Sequence, residues 1–132
     1  MARDLLPLVQ KALGDRYHVD REIARGGSGR IFLARTPDGT EVALKVLHPE
    51  LQVSVAADRF LREIEVLSSM EHPHITRLLD YGEADWVVYF VMEYEEGITL
   101  RKHLDRAQQL SIPDSLVIAD HMLDALAYAH DR

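Results

Sequence analysis

The sequence predicts an α+β fold: a five-stranded antiparallel sheet that carries one main helix, then a linker and two further helices. Three observations predict it. Residues 17–25, 30–35 and 41–47 are strand-like and joined by two short connections, which gives an antiparallel meander. Residues 56–70 change period, with Phe60, Ile64 and Leu67 at i, i+4 and i+7, the spacing of an amphipathic helix. Residues 75–81 and 86–93 return to strand-like composition, and after Gly97 the pattern is helical to the end.

Each element has a local reason. Residues 4–13 carry Leu5, Val9 and Ala12 at helical spacing, with Asp4 as a cap, Pro7 in the first turn and Gly14 as a stop. The first two strands are separated by Gly26-Gly27-Ser28-Gly29, and the next two by Thr36-Pro37-Asp38-Gly39-Thr40, the chemistry of a tight turn. His72-Pro73 ends the main helix, because a residue before proline is pushed out of the helical region. Gly82-Glu83-Ala84-Asp85 joins the last two strands. The second of these, Trp86 to Glu93, is almost wholly apolar, as in a strand buried on both faces. Leu100 and Leu104 mark a short helix, and residues 113–130 a longer one that starts at Pro113. The longer helix carries Leu116, Val117, Ile118, Met122, Leu123 and Leu126, so it needs neighbours on most sides. The expected division is an N-terminal extension at 1–14, a sheet lobe at 15–92, a hinge at 93–98 and the start of a second lobe at 99–132.

Composition bounds the function. At 132 residues the chain is at most one ordinary domain, and 47% apolar residues are enough for a core. A net charge of −7 argues against nucleic acid as the partner. There is no cysteine, which excludes disulfides and thiolate chemistry and fits a reducing compartment; the expected location is the cytoplasm. No apolar run approaches the roughly 18 residues of a membrane span, and the N-terminus lacks a signal-peptide layout.

The glycine loop is the first motif. Glycine lets a backbone turn tightly and bring its N–H groups close to phosphate oxygens. A dinucleotide-binding loop opens into a helix, and a Walker A loop ends in Gly-Lys-Ser/Thr. Here Gly29 is followed by Arg30 and by the strand-like Ile31-Phe32-Leu33-Ala34. Lys45 is the second feature. A lone strand lysine is ordinarily solvated, but alternation puts Ala43 and Lys45 on one face and Val42, Leu44 and Val46 on the other. Lys45 is then partly buried beside a small residue, and a buried ammonium wants an anion. Glu63, beside the apolar stripe of helix 56–70, can supply it, although taken alone it reads as one surface carboxylate among several. Met92-Glu93-Tyr94-Glu95-Glu96-Gly97 reads as a polar linker whose backbone can meet a purine edge. His72 and His74 have no ligand-spaced partners, so a turn is preferred to a metal site, and Asp120, His121 and Asp124 read as helix surface.

Together these residues resemble the N-terminal lobe of a eukaryotic-type (Hanks-type) Ser/Thr protein kinase of the bacterial kind. The order holds from about residue 16 to 130: Ile23-Ala24-Arg25-Gly26-Gly27-Ser28-Gly29, Val42-Ala43-Leu44-Lys45, Phe60-Leu61-Arg62-Glu63, His72-Pro73-His74-Ile75, Val91-Met92-Glu93-Tyr94, then Leu126 to His130. The resemblance implies ATP and Mg²⁺ as cofactors and a protein Ser/Thr hydroxyl as acceptor. It implies that Ile23 and Ile31 cover the adenine with Ala43 behind, and that Gly26, Gly27 and Gly29 form the phosphate loop. Lys45 contacts the α- and β-phosphates and pairs with Glu63, Met92 closes the back of the pocket, and the Glu93 carbonyl and Glu95 N–H hold the adenine edge. Ala24 stands where the family has its first loop glycine.

The sequence holds neither His-Arg-Asp nor Asp-Phe-Gly, so the catalytic Asp and the Mg²⁺ ligands are not among these residues. The expectation is the ATP-binding half of a kinase, inactive by itself, with its protein substrate bound by the C-terminal lobe. The alternative is a stand-alone, non-catalytic binding module that covers helix 113–130 by self-association.

Overall fold

The computed structural model describes residues 5–26, 29–47, 55–84 and 87–131. Asp4, Gly27, Ser28, Asp85 and Trp86 lie outside them. The element order is α1 (Leu6–Leu13), β1 (His18–Arg25), β2 (Gly29–Arg35), β3 (Glu41–Leu47), α2 (Val55–Ser68), β4 (Leu78–Ala84), β5 (Val87–Glu93), α3 (Leu100–Ala107) and α4 (Ile112–His130). The strands form one five-stranded antiparallel sheet in the order β1-β2-β3-β5-β4.

The expected strands and helices are present, most within two residues of their expected bounds, and one connection is corrected. Gly82, Glu83 and Ala84 are not a joint between the last two strands but part of β4, because they pair with Tyr89, Val88 and Val87. Residues 75–77 correspondingly fall outside the strand.

The chain divides into two compact units, Met1–Ser69 with Arg77–Tyr94, and Met70–Thr76 with Glu95–Arg132. In the first, β3 sorts its side chains by alternation. Val42, Leu44 and Val46 enter a core with Phe32, Val91, Leu5 at the start of α1, and Val9 and Leu13 within it. Leu47 enters a second core with Phe60, Ile64 and Phe90, which lies under α2. The N-terminal helix therefore belongs to the sheet lobe as its cover on one face.

Side chains fasten that cover. Pro7 occupies the first turn of α1, and Gly14 ends it at φ 58°, a left-handed backbone that favours glycine. The Gln10 amide donates to the Tyr17 carbonyl at 2.9 Å and accepts from the Val19 N–H at 2.7 Å, tying α1 to the start of β1. The Tyr17 hydroxyl donates to Asp80 at 2.8 Å, joining the residue before β1 to β4 at the other end of the strand order. Between β2 and β3 the expected tight turn forms. Gly39 takes φ 89°, the Thr36 hydroxyl donates to Asp38, and the Thr40 N–H donates to the Asp38 carboxylate at 3.0 Å.

In the second unit, the Thr99 and Ser111 hydroxyls cap α3 and α4 by accepting from the Lys102 and Asp114 N–H groups. Segment 70–76 packs on α4. The Glu71 N–H donates to the Tyr128 hydroxyl at 2.9 Å, His72 lies 3.4 Å from Asp124, and His74 stacks on His121 with centroids 3.8 Å apart. His121 and Asp124 are exposed on α4, and from that surface they contact the His-Pro-His segment. Ile112, Leu116, Val117, Met122, Leu123 and Leu126 of α4 are exposed.

Candidate functional site

The register of three strands builds the site. Ile31 of β2 and Phe90 of β5 are the cross-strand partners of Lys45, and Leu33 and Met92 are those of Ala43. Directly opposed residues share a sheet face. Ile31, Ala43, Lys45, Phe90 and Met92 therefore stand on one face, the one turned away from α1. Ala43 is buried, Ile31 and Met92 are half-buried, and Met92 packs against the core under α2.

α2 brings the anion. Phe60 and Ile64 are buried, which fixes the rotation of the helix, and Glu63 follows Phe60 by three residues on the same side. Its carboxylate receives the Lys45 ammonium at 3.2 and 3.5 Å. The lysine side chain is 20% exposed and the glutamate 42%, so the pair lies at the edge of the core with its anion toward water. On the core side the ammonium stands 5.5 Å from the Phe90 ring centroid and 6.0 Å from that of Phe60.

The glycine loop joins β1 and β2. The Gly26 N–H donates to the Gly29 carbonyl at 2.8 Å and closes the hairpin end. The two glycines differ in their need for glycine. A Cβ on Gly29 would collide with the Val46 carbonyl oxygen of β3, whereas one on Gly26 would meet almost open space. Gly29 is thus demanded by strand packing as well as by any ligand. Gly27 lies outside the described residues. Ala24 is exposed and pairs with Ile31, and Ile23 falls in the irregularity between Glu22 and Ala24.

Glu22 is a loop-base residue that motif reading missed. Arg25 and Arg30 are opposed across the hairpin, an arrangement of like charges that costs energy. Glu22 receives Arg25 at 2.8 Å and Arg30 at 3.5 Å, and its carboxylate lowers the repulsion between the two cations. Two arginines flanking a glycine loop, with a carboxylate three residues upstream, were the available signal.

Glu93 closes β5, its N–H donating to the Arg77 carbonyl at 3.1 Å, and Glu95 belongs to the other compact unit. Among the described residues, no group of three or more His, Cys, Asp or Glu could hold a metal ion. No helix among them is long and apolar enough to cross a membrane.

A glycine hairpin, a strand lysine and a helical glutamate in contact with it stand in the order and geometry of one known family. Its profile, the protein kinase domain, matches residues 17–132. The chain belongs to the protein kinase domain family. It is 36% identical over 131 residues to the serine/threonine-protein kinase PrkC of Bacillus subtilis, covering 95% of this chain and 20% of PrkC. It is 34% identical over 118 residues to mouse Aurora kinase C, covering 88% of this chain and 43% of that kinase. The solved kinase domain of PknI from Mycobacterium tuberculosis superposes with a TM-score of 0.74 at 35% identity, over 89% of this chain and 48% of that one. The chain thus spans less than half the length of these relatives. Its sheet lobe is a protein-kinase N-lobe, and its resemblance to bacterial Hanks-type Ser/Thr kinases holds.

Proposed function

We infer that these residues form the ATP-binding part of a protein kinase that transfers the γ-phosphate of ATP to Ser/Thr hydroxyls of proteins, in the cytoplasm where ATP is supplied. The observation that carries this reading is the Lys45–Glu63 pair at 3.2 Å, on the same sheet face as Ile31, Ala43 and Met92. A carboxylate that fixes an ammonium in a partly buried site preorganises a positive charge for phosphate oxygens. In this reading Ile23 and Ile31 cover the adenine from one side with Ala43 behind, and Met92 bounds it. The Glu93 carbonyl and Glu95 N–H take its edge, and the N–H groups at Gly26, Gly27 and Gly29 meet the phosphates. ATP brings the phosphoryl group and Mg²⁺ would neutralise its charge; the described residues do not form a Mg²⁺ site.

The sequence contains neither His-Arg-Asp nor Asp-Phe-Gly. The 132-residue polypeptide alone is therefore expected to bind nucleotide weakly and to transfer no phosphate. Titration with a fluorescent ADP analogue tests the site: Lys45→Met should weaken binding at least about tenfold, and tight binding that survives it would show the site is elsewhere. Phosphotransfer by the polypeptide that disappears in Lys45→Met would overturn the expected inactivity.

The exposed apolar residues of α4 favour a second reading for the isolated polypeptide, self-association through this helix. Light scattering tests it, since a discrete dimer converted to monomer by Leu116→Lys and Leu123→Lys would support it. A monodisperse monomer would end it.

A further inference from the structure

Lys45 is held from two sides, and only one of them is the glutamate. Phe90 is its cross-strand partner on β5, so sheet register places that ring beside the lysine. Phe60 lies one helical turn before Glu63, so the helix that delivers the carboxylate also delivers the second ring. Both rings are buried, at 1% and 0% exposure, and they pack on each other with centroids 5.1 Å apart and planes tilted by 47°. The ammonium stands within 6.0 Å of both centroids, the range in which a ring face attracts a cation. We propose that Phe60 and Phe90 form a two-ring cradle that positions the Lys45 ammonium by cation–π attraction, independently of Glu63.

The burial pattern gives the physical reason. An ammonium taken out of water needs compensation on every side that loses solvent. Glu63 is 42% exposed and supplies it on the solvent side, where water screens the pair. On the core side the ammonium stands over the two ring faces. Leucine is smaller but as apolar, and would offer no such attraction. The cradle also has a consequence for binding. When phosphate oxygens compete for the ammonium, the glutamate can yield while the rings keep Nζ in place. Phe60 and Phe90 are positioning residues, since they act through the lysine. The proposal rests on the nucleotide reading of Lys45 for its role, but the position of the ammonium can be measured without nucleotide.

The chain has three lysines, Lys11, Lys45 and Lys102, so isotope-labelled lysine gives three resolvable ε-methylene signals. Ring currents should move the Lys45 signal upfield of the other two. The displacement should persist in Glu63→Gln and vanish in the double variant Phe60→Leu, Phe90→Leu. A Lys45 signal that coincides with those of Lys11 and Lys102, or that collapses onto them in Glu63→Gln, would overturn the cradle. Should the leucine variant fail to fold, a fluorinated phenylalanine at position 90 keeps the shape and drains the ring face of negative potential. Fluorination should weaken binding of the fluorescent ADP analogue about two- to fivefold, and unchanged affinity would reject the cation–π attraction. A displaced Lys45 signal in a protein that binds no nucleotide would support the cradle while defeating the ATP reading.

Discussion

The two faces of the sheet come from the same strands and are finished differently. The face under α1 is sealed: Val42, Leu44, Val46, Phe32, Val9 and Leu13 are all at most 2% exposed. The other face is sealed only under α2, by Leu47, Phe60, Ile64 and Phe90, and beyond them it carries Lys45 and Ala43. Strand alternation lets β3 serve both purposes, with Val42, Leu44 and Val46 holding the lobe together and Ala43 and Lys45 facing the site. A slip of one residue would exchange them. Stability and binding are therefore separable by mutation, and the largest expected effect is on the sealed face. Leu44→Ala removes a fully buried side chain and should cost about 2–5 kcal/mol. Nucleotide affinity of the molecules that remain folded should change less than about twofold. A urea melt gives the first quantity and titration below the unfolding transition the second. A large affinity loss without a stability loss would break the division between the faces.

The reverse substitution is Lys45→Met. It removes one charge from the site face and keeps most of the stem, so stability should shift by less than about 1 kcal/mol. Loss of a charge-assisted contact to phosphate should cost binding about 1.5–3 kcal/mol, at least a tenfold change in affinity. A melt that collapsed in Lys45→Met would mean the lysine belongs to the core and not to the site.

The sealed face and the site face were not equally legible in the sequence. The alternation of Val42 to Leu47, the helical stripe of Phe60, Ile64 and Leu67, and the turn at Pro37-Asp38-Gly39 each fix a local period or dihedral, so the elements they encode could be read directly. The Lys45–Glu63 contact was legible only through the resemblance, because an eighteen-residue separation has no periodic signature. The Gly82-Glu83-Ala84 segment was misread as a joint. Composition there favours a turn, but pairing with Val87, Val88 and Tyr89 decides the matter, and a ladder is a tertiary property. That α1 covers the sheet, and that Gly29 is required by the nearby β3 backbone, also depend on which surfaces meet.

Tyr17 tests how the sealed face is fastened at its rim. Burial first, and the hydrogen bond to Asp80 second, push its hydroxyl pKa well above the ordinary value of 10.0. The folded chain keeps the proton where the unfolded chain would release it. The sign follows from linkage: this contribution is fully present below about pH 10 and is lost as pH rises beyond it. The urea midpoint should therefore fall with a steeper slope above pH 10 in the parent than in Tyr17→Phe. At neutral pH the same substitution should cost about 1 kcal/mol for the lost hydrogen bond. Equal alkaline slopes would show that Tyr17 is not the group being titrated.

The smallest predicted effect has the opposite sign. Tyr89 lies on the sealed face, wholly buried, and its hydroxyl has no hydrogen-bond partner among the described residues. Burial raises its pKa, as for any hydroxyl kept from water. An unsatisfied buried donor is a standing cost, so Tyr89→Phe should stabilise the lobe by about 1 kcal/mol. The hydroxyl also explains a glycine. Gly82 is the cross-strand partner of Tyr89, and a Cβ there would stand 3.1 Å from the tyrosine oxygen, closer than ordinary contact. Gly82→Ala should consequently destabilise the parent and cost less in the Tyr89→Phe background, where the nearer crowding atom is gone and the ring Cζ at 3.3 Å remains. A thermal-melt double-mutant cycle measures that coupling, and a positive interaction of about 0.5–1 kcal/mol is expected for residues in contact. If Tyr89→Phe instead lowers stability, the hydroxyl has a partner, and the sealed face is better satisfied than its geometry indicates.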